Sequence, residues 1–232
     1  MEIIPAIMPE NFHHLRADVG IVADHVSVIQ LDIMDGKFVP AKTWPYLRKV
    51  EEGAPTDVYF QAIQNGDEGL PLWEKVDFEL DLMIERPEEN IDQWVALGPT
   101  RIVLHIESIL HPEKALENLQ SLREFIELGL SFDDDYEVTK LDHYIELVDF
   151  VQVMGIDEIG KQGEPFEPRS LYNIAYLRNK FPDMPISVDG AVNRETIQKF
   201  KEAGATRFVV GSAVFQGDAK DNIKYLESLL WE

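Results

Sequence analysis

The chain contains no cysteine, so neither a disulfide framework nor a thiolate nucleophile or metal ligand is available to it. It also lacks any apolar run approaching the roughly 18 residues of a membrane-spanning helix. The opening Met1-Glu2-Ile3-Ile4-Pro5 carries no basic segment followed by a long apolar one. No secretory signal is therefore expected, and a cytoplasmic setting is the economical expectation. Basic residues are scarce. Only 21 Lys and Arg stand against 43 Asp and Glu, giving a net charge of −22. Such a field repels nucleic acid and anionic membranes, and neither is expected as a partner. It repels phosphorylated small molecules too, so a phosphate site must rely on local backbone amides and helix N-termini.

What the chain does have is a regular alternation. Eight short β-rich runs recur: Ile3–Met8, Val26–Asp32, Val76–Ile84, Arg101–Ile106, Leu128–Phe132, Phe150–Met154, Pro185–Asp189 and Arg207–Gly211. Between them lie stripes at helical spacing, such as Phe12, Leu15, Val19 and Val22, or Leu171, Ile174, Leu177 and Phe181. Ile197, Phe200 and Ala203 form another, with Asn193 as expected N-cap and Gly204 as C-terminal glycine. Eight strands alternating with helices over 232 residues predict one domain, a closed (β/α)8 barrel, rather than an open sheet. Residues 41–75 hold Trp44, Tyr46, Tyr59, Phe60 and Trp73 and contain more chain than one connection needs. They read as an elaborated second βα connection, over the barrel mouth or at a subunit contact, or equally as a satellite cluster under a loop. Periodicity leaves Asp57–Ile63 open between strand and helix.

Two aspartates each close an apolar run. Asp32 follows Val28-Ile29-Gln30-Leu31, and Asp189 follows Ile186-Ser187-Val188. A buried carboxylate at a strand end costs several kcal/mol unless it is paired, metal-bound or used. Two at equivalent places in a strand–helix repeat suggest an acid/base pair facing one pocket. In a barrel of this kind catalytic groups lie at the C-terminal strand ends and phosphates sit near the last two strands. Asp32, Asp81, His105, Met154, Asp189 and Gly211 fall at such ends, and Gly190-Ala191 and Gly211-Ser212 supply small residues for backbone contact with an anion.

The stretches LDIMDGKFVP, FELDLMIERPEE, VLHIES, ISVDGAV and EAGATRFVVGSAVF resemble the ribulose-phosphate 3-epimerase family, in order and with similar spacing. The likeness is poor only in 41–75 and 131–165. It implies a (β/α)8 barrel of the ribulose-phosphate-binding type that epimerises a pentulose 5-phosphate, interconverting D-ribulose 5-phosphate and D-xylulose 5-phosphate or a close relative. It also implies a divalent metal that stabilises an enediolate. Asp32 and Asp189 match the two acid/base aspartates. Inversion without a redox cofactor needs one such group on each face of the planar intermediate. Met34, Met83 and Met154 match methionines around the substrate carbon, and His105 is retained after strand four. Gly160, Gly190, Ala191, Gly211 and Ser212 are the implied phosphate contacts.

Departures from the family pattern are equally specific. The two metal-binding histidines are replaced by Gln30 and Asp81, and a serine at the end of strand one by Ala6. The glycine-rich loop after strand six reads Asp157-Glu158-Ile159-Gly160-Lys161-Gln162-Gly163. One reading keeps a metal on an all-oxygen set of Gln30, Asp32, Asp81 and Asp189, which suits Mg²⁺ or Mn²⁺ better than Zn²⁺. Another makes the chain a non-catalytic sugar-phosphate binder with a degenerate metal site. A related barrel enzyme of aldolase or decarboxylase type is the third, against which strand three offers no lysine. Homo-oligomerisation is left open.

Overall fold

The computed structural model describes residues 1–47, 57–133 and 135–231. Eight strands, β1 (Glu2–Ile7), β2 (Val28–Met34), β3 (Asp77–Met83), β4 (Arg101–His105), β5 (Glu127–Phe132), β6 (Phe150–Met154), β7 (Ile186–Asp189) and β8 (Arg207–Val210), close into a barrel in chain order. Every neighbouring pair is parallel, including β1 with β8. All eight expected strands are present, with ends displaced by at most two residues.

Strand periodicity divides the chain between two cores. Ile29, Leu31 and Ile33 of β2, like Phe78, Leu80 and Leu82 of β3, join the large apolar layer between barrel and helices. Residues of opposite parity point inward. There Ile4, Ala6, Val28 and Val209 form a small apolar cluster, and Val103, Phe150 and the strand-end Met34, Met83 and Met154 are buried with the same parity. The rest of the interior is polar and buried: Gln30, Asp32, Glu79, Asp81, His105, Ser131, Gln152 and Ser187. Register aligns these groups. Asp32 stands opposite Asp81, Gln30 opposite Glu79, and Met154 opposite Asp189.

At the N-terminal end two arginines close the barrel. Arg101 lies 3.1 Å from Glu2, 3.3 Å from Glu127 and 3.8 Å from Glu79, and Arg207 lies 2.7 Å from Glu127. The opposite end is left for chemistry.

The outer layer contains α1 (Phe12–Val22), α2 (Val58–Gln64), α3 (Ile91–Val95), α4 (Pro112–Asn118), α5 (Arg169–Lys180), α6 (Ile197–Ala203), α7 (Ser212–Phe215) and α8 (Ala219–Trp231). None is long and apolar enough to cross a membrane. In α1 the Asn11 side chain accepts from His14 N–H, and the expected face Phe12, Leu15, Val19 and Val22 is buried. Asn193 does not cap α6 directly. The helix begins at Ile197 after Thr196, while Asn193 holds the preceding turn by accepting from Glu195 N–H at 2.8 Å. Gly204 ends α6 with φ 117° as expected.

The β5–β6 connection departs from the alternation. Its described residues form 3₁₀ turns, Val138–His143 and Ile145–Leu147, rather than an α-helix. Val138 and Leu141 are buried at a spacing of three, the period of that tighter turn.

Asp57–Ile63 resolves as helix. Asp57 accepts from the N–H groups of Tyr59 and Phe60 and thereby caps α2. Its carboxylate also accepts from Trp44 Nε1 at 3.0 Å. Trp44, Phe60 and Trp94 are buried in sequence across the outer layer, with ring centroids 5.7 and 5.3 Å apart, and Phe12 stacks on Tyr59 at 4.5 Å. Residues 48–56 of the expected 41–75 connection lie outside the described residues.

Candidate active site

The C-terminal mouth of the barrel opens on a cavity of about 170 Å³. That is below the roughly 300–1,000 Å³ of clefts for drug-sized ligands, so it suits a compact small molecule. Ala6, Asp32, Met83, Met154, Gly160, Asp189, Gly190, Ala191, Gly211 and Ser212 line it. Each was singled out in the sequence. Gln30, Met34, Asp81 and His105 are fully buried and stand behind the wall. The sequence reading missed Met8, Gln162, Glu164 and Asn193, which also face the cavity. Only Gln162 had a signal, its place in the altered loop after β6. The sequence marks Met8 and Asn193 only as a strand end and a helix cap, and Glu164 carries no pattern that separates it from ordinary loop residues.

Asp32 and Asp189 share one donor. Gln30 Nε2 donates to Asp32 Oδ1 and to Asp189 Oδ2, both at 2.8 Å. Gln30 thus presents its amide nitrogen to the carboxylates, and its Oε1 is buried without a hydrogen-bond partner among the described residues. A ligand role for that oxygen would need the amide to turn over. Asp81 lies beside the pair, accepting from His105 Nε2 at 2.8 Å and from Gln152 Nε2 at 2.9 Å.

Electrostatics in this cluster follow from burial and like charge. Burial, then the charges of Asp189 and Asp81, push the Asp32 carboxyl well above the usual carboxylate range, against the Gln30 hydrogen bond. Burial and Asp81 push Asp189 up to about 7, with Gln30, His105 and the Gly190 N–H opposing. Burial alone would lower His105, but the charge and hydrogen bond of Asp81 outweigh it, so the net shift is upward.

A cation fits this arrangement. Asp32, Asp81 and Asp189 each offer an oxygen within 4.8 Å of the others. Three buried carboxylates at that separation repel unless protons or a positive ion compensate them. The donors are hard oxygens, the set preferred by Mg²⁺, Mn²⁺ or Ca²⁺.

Around this cluster the loops form an apolar cover. Met34, Met83 and Val39 pack together with Met8, Phe38 and Ile159. Asp35 braces the loop after β2, accepting from Lys37, Phe38 and Glu85 N–H groups. Lys161 lines the cavity and pairs with Glu158. Beyond β7, Gly190 and Ala191 adopt φ of 94° and 53°. For Ala191 the left-handed conformation costs about 1–2 kcal/mol, a strain characteristic of functional turns. At Gly190 an added Cβ would lie 2.7 Å from Ile156, so the turn needs glycine on both counts. Gly211 lies directly beneath the Gln162 amide, 2.7 Å from where its own Cβ would be.

A profile described as the ribulose-phosphate 3 epimerase family matches residues 2–215. A ribulose-phosphate 3-epimerase of Eremothecium gossypii is 28% identical over 229 residues, covering 97% of this chain and 91% of the relative. One from Schizosaccharomyces pombe is 27% identical over 224 residues, covering 96% and 90%. Among solved structures, 3-hexulose-6-phosphate synthase from Salmonella typhimurium superposes with a TM-score of 0.68 over 100% of this chain and 99% of its own. At 14% identity that likeness speaks for the barrel fold alone.

Proposed function

The chain belongs to the ribulose-phosphate 3-epimerase family, and from that premise we propose that it interconverts D-ribulose 5-phosphate and D-xylulose 5-phosphate at the mouth of the barrel. The observation that carries this reading is the pair Asp32 and Asp189, both opening on one cavity and both held at 2.8 Å by the same Gln30 amide.

Epimerisation breaks the C3–H bond and leaves the electron pair shared across C3, C2 and the C2 oxygen. One aspartate takes the proton from one face. The other, protonated at the start, returns a proton to C3 from the opposite face. Neighbouring buried carboxylates suit this division, because repulsion keeps one protonated while its partner is a base. Gln30 fixes the two carboxyl groups relative to each other, and the Asp81–His105–Gln152 contacts fix the third. Asp32, Asp81 and Asp189 would hold a divalent ion, which supplies positive charge where the enediolate oxygens gain negative charge. Gln30 joins that set only through its oxygen, after the amide turns.

Met83 and Met154 provide the apolar wall beside the reacting carbon, and the loop carrying Gly160 keeps water off it. The phosphate lies against the Gly190-Ala191 and Gly211-Ser212 turns, where fixed amides act locally against the −22 overall charge. Glu164 lines the same cavity, so the anion belongs on the glycine side.

The test is direct incubation of the purified chain with D-ribulose 5-phosphate and Mg²⁺ or Mn²⁺, following D-xylulose 5-phosphate. Formation that is lost on removing the ion supports the reading. No interconversion with any divalent ion contradicts it and favours a sugar-phosphate binder, the reading that Gln30's occupation of the space between the aspartates would support.

A further inference from the structure

Beside the aspartate cluster lies a second convergence of ligand-type groups. His105 ends β4, Glu107 follows in the next turn, and Asp133 stands one residue beyond β5. Each offers a donor atom within 4.8 Å of the other two. His105 is wholly buried, with its Nε2–H committed to Asp81 Oδ1 at 2.8 Å. Its other nitrogen, Nδ1, is buried without a hydrogen-bond partner among the described residues, and so is Asp133 Oδ1. Glu107 Oε1 accepts from Asp133 N–H at 3.0 Å, which ties the two strand ends together.

Buried polar atoms are normally satisfied, and leaving one unpaired costs about 1–3 kcal/mol. Here the unpaired atoms are a ring nitrogen and a carboxylate oxygen in one cluster. Hydrogen bonding within the cluster does not account for them, because Nδ1 reaches neither carboxylate. The tautomer is informative. In the neutral ring with Nε2 protonated toward Asp81, Nδ1 carries the lone pair, which a cation reaches by displacing the Nδ1 proton of the charged ring. A carboxylate behind the imidazole is the usual support of a metal-binding histidine.

We propose that His105 Nδ1, Glu107 and Asp133 form a second divalent-cation site, distinct from the Asp32–Asp81–Asp189 cluster and joined to it by the His105–Asp81 hydrogen bond. The donor chemistry separates the two. One imidazole with two carboxylates favours Zn²⁺, Mn²⁺ or Fe²⁺, whereas the all-oxygen cluster favours Mg²⁺. Glu107 also lines a surface cleft with Lys37, Phe38, Glu85 and Arg86, which gives the ion a route from solvent. None of the three residues carries the proposed proton transfers, so the two assignments fail separately.

Calorimetric titration of the metal-free full chain with Zn²⁺ tests the site. Glu107→Gln with Asp133→Asn keeps shape and removes charge, and should weaken Zn²⁺ binding by at least about 100-fold. The same pair should abolish the rise in unfolding temperature that Zn²⁺ gives the parent. Asp32→Asn with Asp189→Asn should retain Zn²⁺ binding. Equal Zn²⁺ affinity in the parent and the Glu107/Asp133 variant, or no Zn²⁺ binding by the parent, would overturn the proposal. A failure of the epimerase reading would leave these Zn²⁺ results unchanged.

Discussion

Gln30 and Asp81 occupy the positions where the family resemblance places imidazoles, and their different contacts lead to different expectations for the two replacements. Asp81 brings a carboxylate that accepts hydrogen bonds from His105 and Gln152. Gln30 brings a neutral amide whose nitrogen already serves two carboxylates. Asp81→Ala is therefore expected to weaken Mg²⁺ binding by about 10–100-fold or more, and Gln30→Ala by less than about 10-fold. Isothermal titration of the metal-free protein with Mg²⁺ measures both, and the reverse order would remove Asp81 from the ligand set. At this scale the sequence was informative for Asp32 and Asp189, because a carboxylate closing an apolar strand stands out. It was silent on which end of Gln30 faces them and on the pairing of His105 with Asp81. Both depend on neighbours from other strands, which no local pattern encodes.

Among the elements, the strands were the most legible, since each is an apolar run of strand length between turn residues. The β5–β6 connection was not. Buried Val138, Leu141 and Ile145 satisfy a helical stripe loosely, and only tertiary packing selects the 3₁₀ turns. In the 41–75 connection the aromatics were visible but their destination was not. The described part places Trp44 and Phe60 in the outer layer between α1 and α3, away from the cavity lining. Trp44→Ala should cost about 3–5 kcal/mol in urea unfolding through lost packing and the vacated Asp57 carboxylate. A cost below about 1 kcal/mol would mean that this cluster does not anchor the connection. The turns after β7 and β8 make a second prediction. Gly211→Asp places a carboxylate against the Gln162 amide and beside the expected phosphate. Like charges there cost several kcal/mol, so ribulose 5-phosphate affinity should fall by about 100-fold or more. Unchanged affinity would place the phosphate elsewhere.

Over the whole molecule, the barrel interior separates an ion-paired base from a carboxylate-rich mouth, and Glu79 lies between them. Both its oxygens are buried without hydrogen-bond partners among the described residues, and burial pushes its carboxyl up to about 8 despite Arg101 and Arg207. The native state thus holds a proton that the unfolded chain releases above about pH 4.5. Its contribution to stability is complete at low pH and is lost as pH rises through about 8. Glu79→Gln should raise the urea midpoint at pH 8–9 and flatten the decline between about pH 5 and 8, and a parallel curve would show that Glu79 is ionised throughout. Arg101 retains Glu2 and Glu127 in that variant. The barrel itself was readable from strand count and length, whereas its layered polar interior appears only once register brings inward residues level. The proposed epimerisation requires Asp32 and Asp189 to act on opposite faces of one carbon. The decisive measurement is solvent deuterium incorporation at C3 of ribulose 5-phosphate, followed by NMR for the parent, Asp32→Asn and Asp189→Asn. The parent should exchange and invert, while each variant should lose inversion by about 10²–10⁴-fold with the fold intact. Inversion at the parent rate in either variant would contradict the two-aspartate site.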